Sequence, residues 1–218
     1  MALEILAATR CYHVHVTSDD ENKDHSHGEP IGASRLESFS DGVMAVIITI
    51  MAINLHPPAH ANWHGLEQRL PDLAIYALSF AAVAIYWNNH HHLLRVTATI
   101  SAAVMWSNLL LLFWLSLIPV ATQWVAQSPG STWSSTTYAM TYFLCATTYA
   151  LLSRSIVRAN HHNPDVVRAI GYDLKGIIST VWALVVVILA IMNPFVGYAG
   201  DVILATWWVI PDRRLVRS

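Results

Sequence analysis

Six apolar stretches run along this chain, each near the ~20 residues a membrane-spanning helix needs. They fall at 35–55, 72–94, 100–125, 134–158, 170–192 and 194–211. Between them sit polar, turn-forming clusters: His56-Pro57-Pro58, Ser128-Pro129-Gly130, Asn163-Pro164 and Asn193-Pro194. Proline has no N–H to donate and restricts the residue before it, so these clusters read as helix boundaries. The pattern predicts an all-α integral membrane protein with six transmembrane helices in one domain, 34–212. Residues 1–33 form a polar, His-rich tail with no periodicity, read as disordered. Residues 213–218 form a short basic C-terminus.

Composition supports lipid as the solvent. Charged residues make up 12% of the chain and hydrophobic ones 55%, against about 25% charged in a soluble domain. Cys11 and Cys145 lie in unlike settings, a polar tail and an apolar run, so no disulfide is expected. Met1–Ala8 is too short and lacks the basic lead of a cleaved signal.

The placement of charge sets the orientation. With the N-terminus cytoplasmic, eleven of the twelve Lys and Arg lie inside and Arg69 alone lies outside. The positive-inside rule favours that arrangement, with both termini cytoplasmic in a multi-pass protein of the cell membrane. Trp63, Trp124, Trp133 and Trp207 fall where interfacial aromatic belts belong.

The first apolar stretch carries the most information. Ser34 and Glu37 have capping-box spacing, which starts the helix near Arg35. At ~100° per residue, Gly42, Val46, Thr49, Ile50 and Ile53 share one stripe. Ser40 lies nearly opposite and Asp41 to one side. An ionised carboxylate costs about 2.5–3.5 kcal/mol at the bilayer centre and less near its surface, so Asp41 needs a partner. Depth supplies candidates. The second stretch ends in Trp87-Asn88-Asn89-His90-His91-His92, and Asn108 sits about two turns into the third. Asp41, Trp87, His90, His91 and Asn108 therefore share one level near the cytoplasmic side. A hydrogen-bonded network there would lock the first helix to the second and third. His92 reads as a headgroup-level residue. Neighbouring histidines splay ~100° apart on a helix and cannot converge on one ion, so no metal ligand is assigned. The tail histidines His13, His15, His25 and His27 fit no closed metal site either.

The segment Arg35-Leu36-Glu37-Ser38-Phe39-Ser40-Asp41-Gly42 resembles the R-x-x-x-F-S-D signature of the endosomal and lysosomal potassium channel family, in its short prokaryotic form. Tyr86-Trp87, His90-His91 and Asn108 resemble that family's second cluster. The resemblance implies a homotetramer in which the first span of each subunit lines a central pore. Arg35, Phe39, Ser40, Asp41, Trp87, His90, His91 and Asn108 are then the signature and its structural network. Val46 takes the place of the family's apolar constriction, though smaller than the Ile or Leu expected there. Thr49 takes the place of the hydroxyl residue tied to selectivity. Ile50 and Ile53 continue the lining.

Residue chemistry points the same way. One helix cannot enclose a channel, so a pore lined by it requires a symmetric oligomer. Rings of Val46, Ile50 and Ile53 would gate by dewetting, and Thr49 hydroxyls would replace part of an ion's water shell. On the stripe alone, lipid-facing or core packing stands as the alternative. Val196-Gly197-Tyr198-Ala199-Gly200 lacks the preceding Thr and the adjacent second Gly of a carbonyl filter, and reads as a helix start.

The expected function is a potassium-preferring cation channel. The alternative is a proton-coupled or divalent-metal transporter using membrane His and Asp residues. Unbroken spans (Pro119 apart) and an absence of midplane charge favour the channel. No nucleophile or open metal site appears, so no catalytic residue, enzyme activity or cofactor is expected. The expected partners are the chain itself, the lipid bilayer and monovalent cations, not nucleic acid.

Overall fold

The computed structural model describes residues 31–170 and 174–209. The polar tail and the basic C-terminus therefore lie almost wholly outside the described residues. Those described form helices α1 (Ile31–Ile53), α2 (Trp63–Arg95), α3 (Ala102–Ser116), α4 (Ile118–Gln127), α5 (Thr132–Ala159), α6 (Pro164–Ile170), α7 (Leu174–Met192) and α8 (Pro194–Val209), with no strand among them. By length and composition, four stretches could cross a membrane: Gly32–Ile53, Trp63–Arg95, Ala102–Gln127 and Pro164–Met192, the last running across positions outside the described residues.

Local chemistry sets the boundaries. Asn62 caps α2 by accepting from the Gly65 N–H at 2.8 Å, and Asn193 caps α8 by accepting from Phe195 N–H at 2.9 Å. Each satisfies an orphan donor of a first turn. The expected third stretch, 100–125, is two helices. Pro119 stands in the first turn of α4, where its missing N–H costs least, and the chain breaks at Leu117.

Three expectations are corrected. α1 begins by Ile31, so Ser34 lies within the helix and is not its cap. α2 starts at Trp63, well before position 72. Its early turns carry His64, Glu67 and Arg69, whose polarity hides them from a hydropathy reading; Arg69 donates to Asp72 at 2.9 Å. The apolar spans are not free of buried ionisable residues either, because α8 buries Asp201 within the bundle.

α5 sits at the centre, packed by α3, α4, α7 and α8. Its many Ser, Thr and Tyr residues lower its hydropathy, yet most face protein. Thr141 and Thr148 donate back to the carbonyls of Thr137 and Leu144, each at 2.8 Å. Such back-bonds satisfy hydroxyls that lipid would leave unpaired. The main core joins Met44, Ile47 and Met51 of α1 to Val83, Leu94, Leu111, Leu115, Leu152 and Ile156.

Candidate functional site: the two faces of the first helix

The two sides of α1 differ in kind. Leu36, Ser40, Met44, Ile47 and Met51 are buried at spacings of three and four, which is one helical face. The other side carries Gly42, Val46, Thr49, Ile50 and Ile53, all exposed. Val46 is 54%, Ile50 45% and Ile53 79% exposed, so a continuous apolar stripe is left largely uncovered within the subunit, beside a groove shared with Pro119 and Val120. Thr49 donates its hydroxyl hydrogen to the Val46 carbonyl at 2.9 Å. With that hydrogen committed, what Thr49 offers outward is oxygen lone pairs, the ligand a cation prefers.

Behind the buried face runs a polarised chain of hydrogen bonds. Ser40 donates to the Leu36 carbonyl at 2.8 Å. The Asn108 amide N–H then donates to Ser40 Oγ at 2.9 Å. This leaves Asn108 Oδ1 as an acceptor, 2.7 Å from His90 Nε2. The order fixes the tautomer: His90 carries its hydrogen on Nε2, and its buried Nδ1 has no partner. Ser40, His90 and Asn108 are each fully buried, and they come from α1, α2 and α3 in turn.

A second set lies nearer the surface. The Trp87 indole donates to Asp41 Oδ1 at 3.0 Å. His91 Nδ1 approaches Glu37 Oε1 to 2.7 Å, at an angle that does not make a hydrogen bond. The Trp87 and His91 rings stack, 6.0 Å apart with 22° between planes. Ligand atoms of Glu37, Asp41 and His91 lie within 4.8 Å of one another, close enough to share a cation.

The geometry therefore brings together Ser40, His90 and Asn108, and separately Asp41, Trp87 and His91. It does not bring Arg35 or Phe39 into either set. Arg35 is exposed and pairs with no carboxylate among the described residues. Phe39 is exposed on the same side as the stripe. Sequence reasoning missed Glu37, read only as a capping residue; its placement one helical turn before Asp41 was the available signal.

Comparison with known proteins places the chain in a family. Residues 35–119, which hold both sets, match the model of the endosomal/lysosomal potassium channel TMEM175 family. A potassium channel of Chryseobacterium sp. (strain P1-3) is 38% identical over 184 residues, covering 84% of this chain and 96% of that one. A potassium channel of Streptomyces collinus is 31% identical over 128 residues, covering 57% of this chain and 62% of its own. The fold is similar to the crystal structure of a lysosomal potassium-selective channel TMEM175 homolog from Chamaesiphon minutus, with a TM-score of 0.72 at 21% identity over 82% of this chain and 97% of that one. With nearly the whole length of the Chryseobacterium relative aligned, the chain belongs to the TMEM175 family.

Proposed function

We infer that the chain is a potassium-preferring cation channel of the membrane, with its ion path along the exposed stripe of α1. The observation that carries the reading is the division of α1 into faces. One face is locked to α2 and α3 by buried hydrogen bonds. The other holds large apolar side chains and one hydroxyl that are largely exposed within the subunit.

The finer reading is a homotetramer of six-span subunits with both termini cytoplasmic. α5 adds a fifth passage, since 28 residues reach about 42 Å at 1.5 Å each. α8, with 16 residues, reaches about 24 Å and serves as the sixth. Symmetry then places the stripe of each subunit around one axis. Val46 forms the dewetting constriction, Thr49 offers oxygen to a partly dehydrated ion, and Ile50 and Ile53 continue the wall.

The grouping of Glu37, Asp41 and His91 is the observation that favours the second reading, proton-coupled or divalent-metal transport. Against it, one of the two Asp41 carboxylate oxygens is already engaged by Trp87.

Flux into liposomes separates the two. Purified protein in potassium-loaded vesicles, with a proton ionophore present, is expected to pass potassium down its gradient faster than empty vesicles. No flux above empty vesicles overturns the channel. Zinc or proton movement without potassium supports the transporter.

A further inference from the structure

Away from α1, a cavity opens between the last turns of α5, the end of α6 and the start of α7. It holds about 630 Å³ of empty space counted to its mouth, of which about 210 Å³ admits the centre of a water molecule. Arg154 and Arg158 stand on its wall. They lie one turn apart on α5, a spacing that puts both on one face. Both are exposed, and among the described residues neither meets a carboxylate. Ser153, on the same wall, is only 5% exposed. Thr141 and Thr148 of this helix bond back to a carbonyl one turn earlier. The Ser153 hydroxyl does not, and it has no hydrogen-bond partner among the described residues. Buried polar groups are nearly always satisfied, so a lone hydroxyl on a cavity wall points to an absent partner.

We propose that this cavity holds the phosphate of an anionic phospholipid, with Arg154, Arg158 and Ser153 as its donors. Guanidinium groups bond phosphate oxygens in pairs, and such charge-assisted bonds are stronger than neutral ones. Ser153 donates a further O–H from within the wall. Two unpaired cations and a hydroxyl make an anion the matching occupant. This end of α5 is cytoplasmic in the orientation proposed above, so the lipid belongs to the inner leaflet. Basic cavities between membrane helices on that side take phospholipid headgroups.

A free phosphate would use the same donors, and the surrounding surface decides between the two sources. The rest of the wall is apolar, with Val157, Ile170 and Ile177. From Ile177 the apolar surface continues along α7: Ile177, Ile178 and Val181 are 51%, 49% and 58% exposed. On a membrane helix that surface meets acyl chains, so a phosphate at the arginines brings its own tails to cover it. The headgroup is selected by size and charge. The cavity has room for a small polar head, while the tails lie outside along α7. An ammonium on the head, as in phosphatidylcholine, would stand against two guanidinium groups. Phosphatidylglycerol, small and without a cation, meets both conditions.

Native mass spectrometry of the full chain in detergent, mixed with dioleoylphosphatidylglycerol or dioleoylphosphatidylcholine, tests the site. Phosphatidylglycerol is expected to stay bound, one per subunit, under conditions that strip phosphatidylcholine. Arg154→Gln combined with Arg158→Gln should weaken its binding about tenfold, and Ser153→Ala severalfold. Arg95→Gln, at the end of α2 and outside the cavity, should leave binding unchanged. If the double variant does not fold, Ile177→Trp, which fills the cavity, carries the same expectation. Equal retention of the two lipids overturns the proposal. An equal loss in Arg95→Gln does so too, since it would mean a diffuse attraction to basic surface. Displacement of the lipid by inorganic phosphate at the same concentration would assign the cavity to a free anion and overturn it as well. Potassium flux in liposomes is a separate readout, so failure here leaves the channel reading standing.

Discussion

The indole N–H of Trp87 donates to the Asp41 carboxylate at 3.0 Å, joining α2 to α1. The bond gives a carboxylate near lipid the partner it needs, and it turns Asp41 toward α2 and off the stripe. Trp87→Phe keeps an aromatic ring and removes the donor. A hydrogen bond to a charged group contributes about 1.5–3 kcal/mol. Trp87 is 44% exposed, so the lower end applies. Thermal unfolding in detergent should show lower stability for Trp87→Phe, and Asp41→Ala should assemble poorly. Normal oligomers with an altered potassium-to-sodium ratio would instead put Asp41 in the ion path.

Asn108 is the middle of a three-residue chain, and its removal should cost more than removal of an end. Asn108→Leu leaves the buried His90 N–H with no acceptor, at about 1–3 kcal/mol for the orphaned group. Ser40→Ala leaves only one of the Asn108 hydrogens unpaired. Chemical unfolding of the two variants is expected to rank Asn108→Leu as the less stable. The reverse order would mean that His90 finds another partner through its free Nδ1.

These relationships were legible in the sequence to different depths. The faces of α1 followed from angular periodicity, because a helix in lipid must sort its residues by surroundings. The level shared by Asp41, Trp87, His90 and Asn108 followed from residue counts along antiparallel spans. Which of them touch did not follow, since contact depends on rotation about each axis, and that rotation is set by packing. Hydropathy averages hid two other features. The early turns of α2 are helical but polar, and a single Asp201 vanishes in the apolar mean of α8.

Thr49 offers a test of the stripe through oxygen alone. Its hydrogen is tied to the Val46 carbonyl, so loss of the hydroxyl removes lone pairs without orphaning a donor. Thr49→Ala should lower the permeability ratio of potassium over sodium, measured as reversal potential in planar bilayers. Thr49→Ser should restore much of it. An unaltered ratio in both variants would remove Thr49 from selectivity.

Val46 tests the constriction. Val46→Ala shortens an exposed side chain, so the fold of the subunit should not change. Conductance should rise, because a wider apolar ring holds water more readily and dewets less. Unchanged single-channel conductance would place the narrowest point elsewhere, with Ile50 the next candidate along the stripe.

The last prediction concerns the seam between α7 and α8. Gly197 and Gly200 stand one turn apart and face α7, but they meet different obstacles. A Cβ on Gly197 would lie 2.7 Å from Ala190 Cβ and 2.9 Å from its Cα. A Cβ on Gly200 would lie 2.7 Å from Val186 Cγ2, the end of a side chain. Backbone cannot yield as a methyl group can, so the two substitutions to alanine should differ. Overpacking costs about 1–3 kcal/mol, while alanine regains up to about 1 kcal/mol of helix propensity over glycine. Gly200→Ala should therefore come out near neutral in thermal unfolding, and Gly197→Ala should be clearly destabilised. Adding Ala190→Gly removes the nearer obstacle and leaves the Cα, so it should restore part of the loss. Full restoration would mean the helices separate more easily than their packing indicates, and equal costs at both glycines would mean that Val186 is as fixed as backbone.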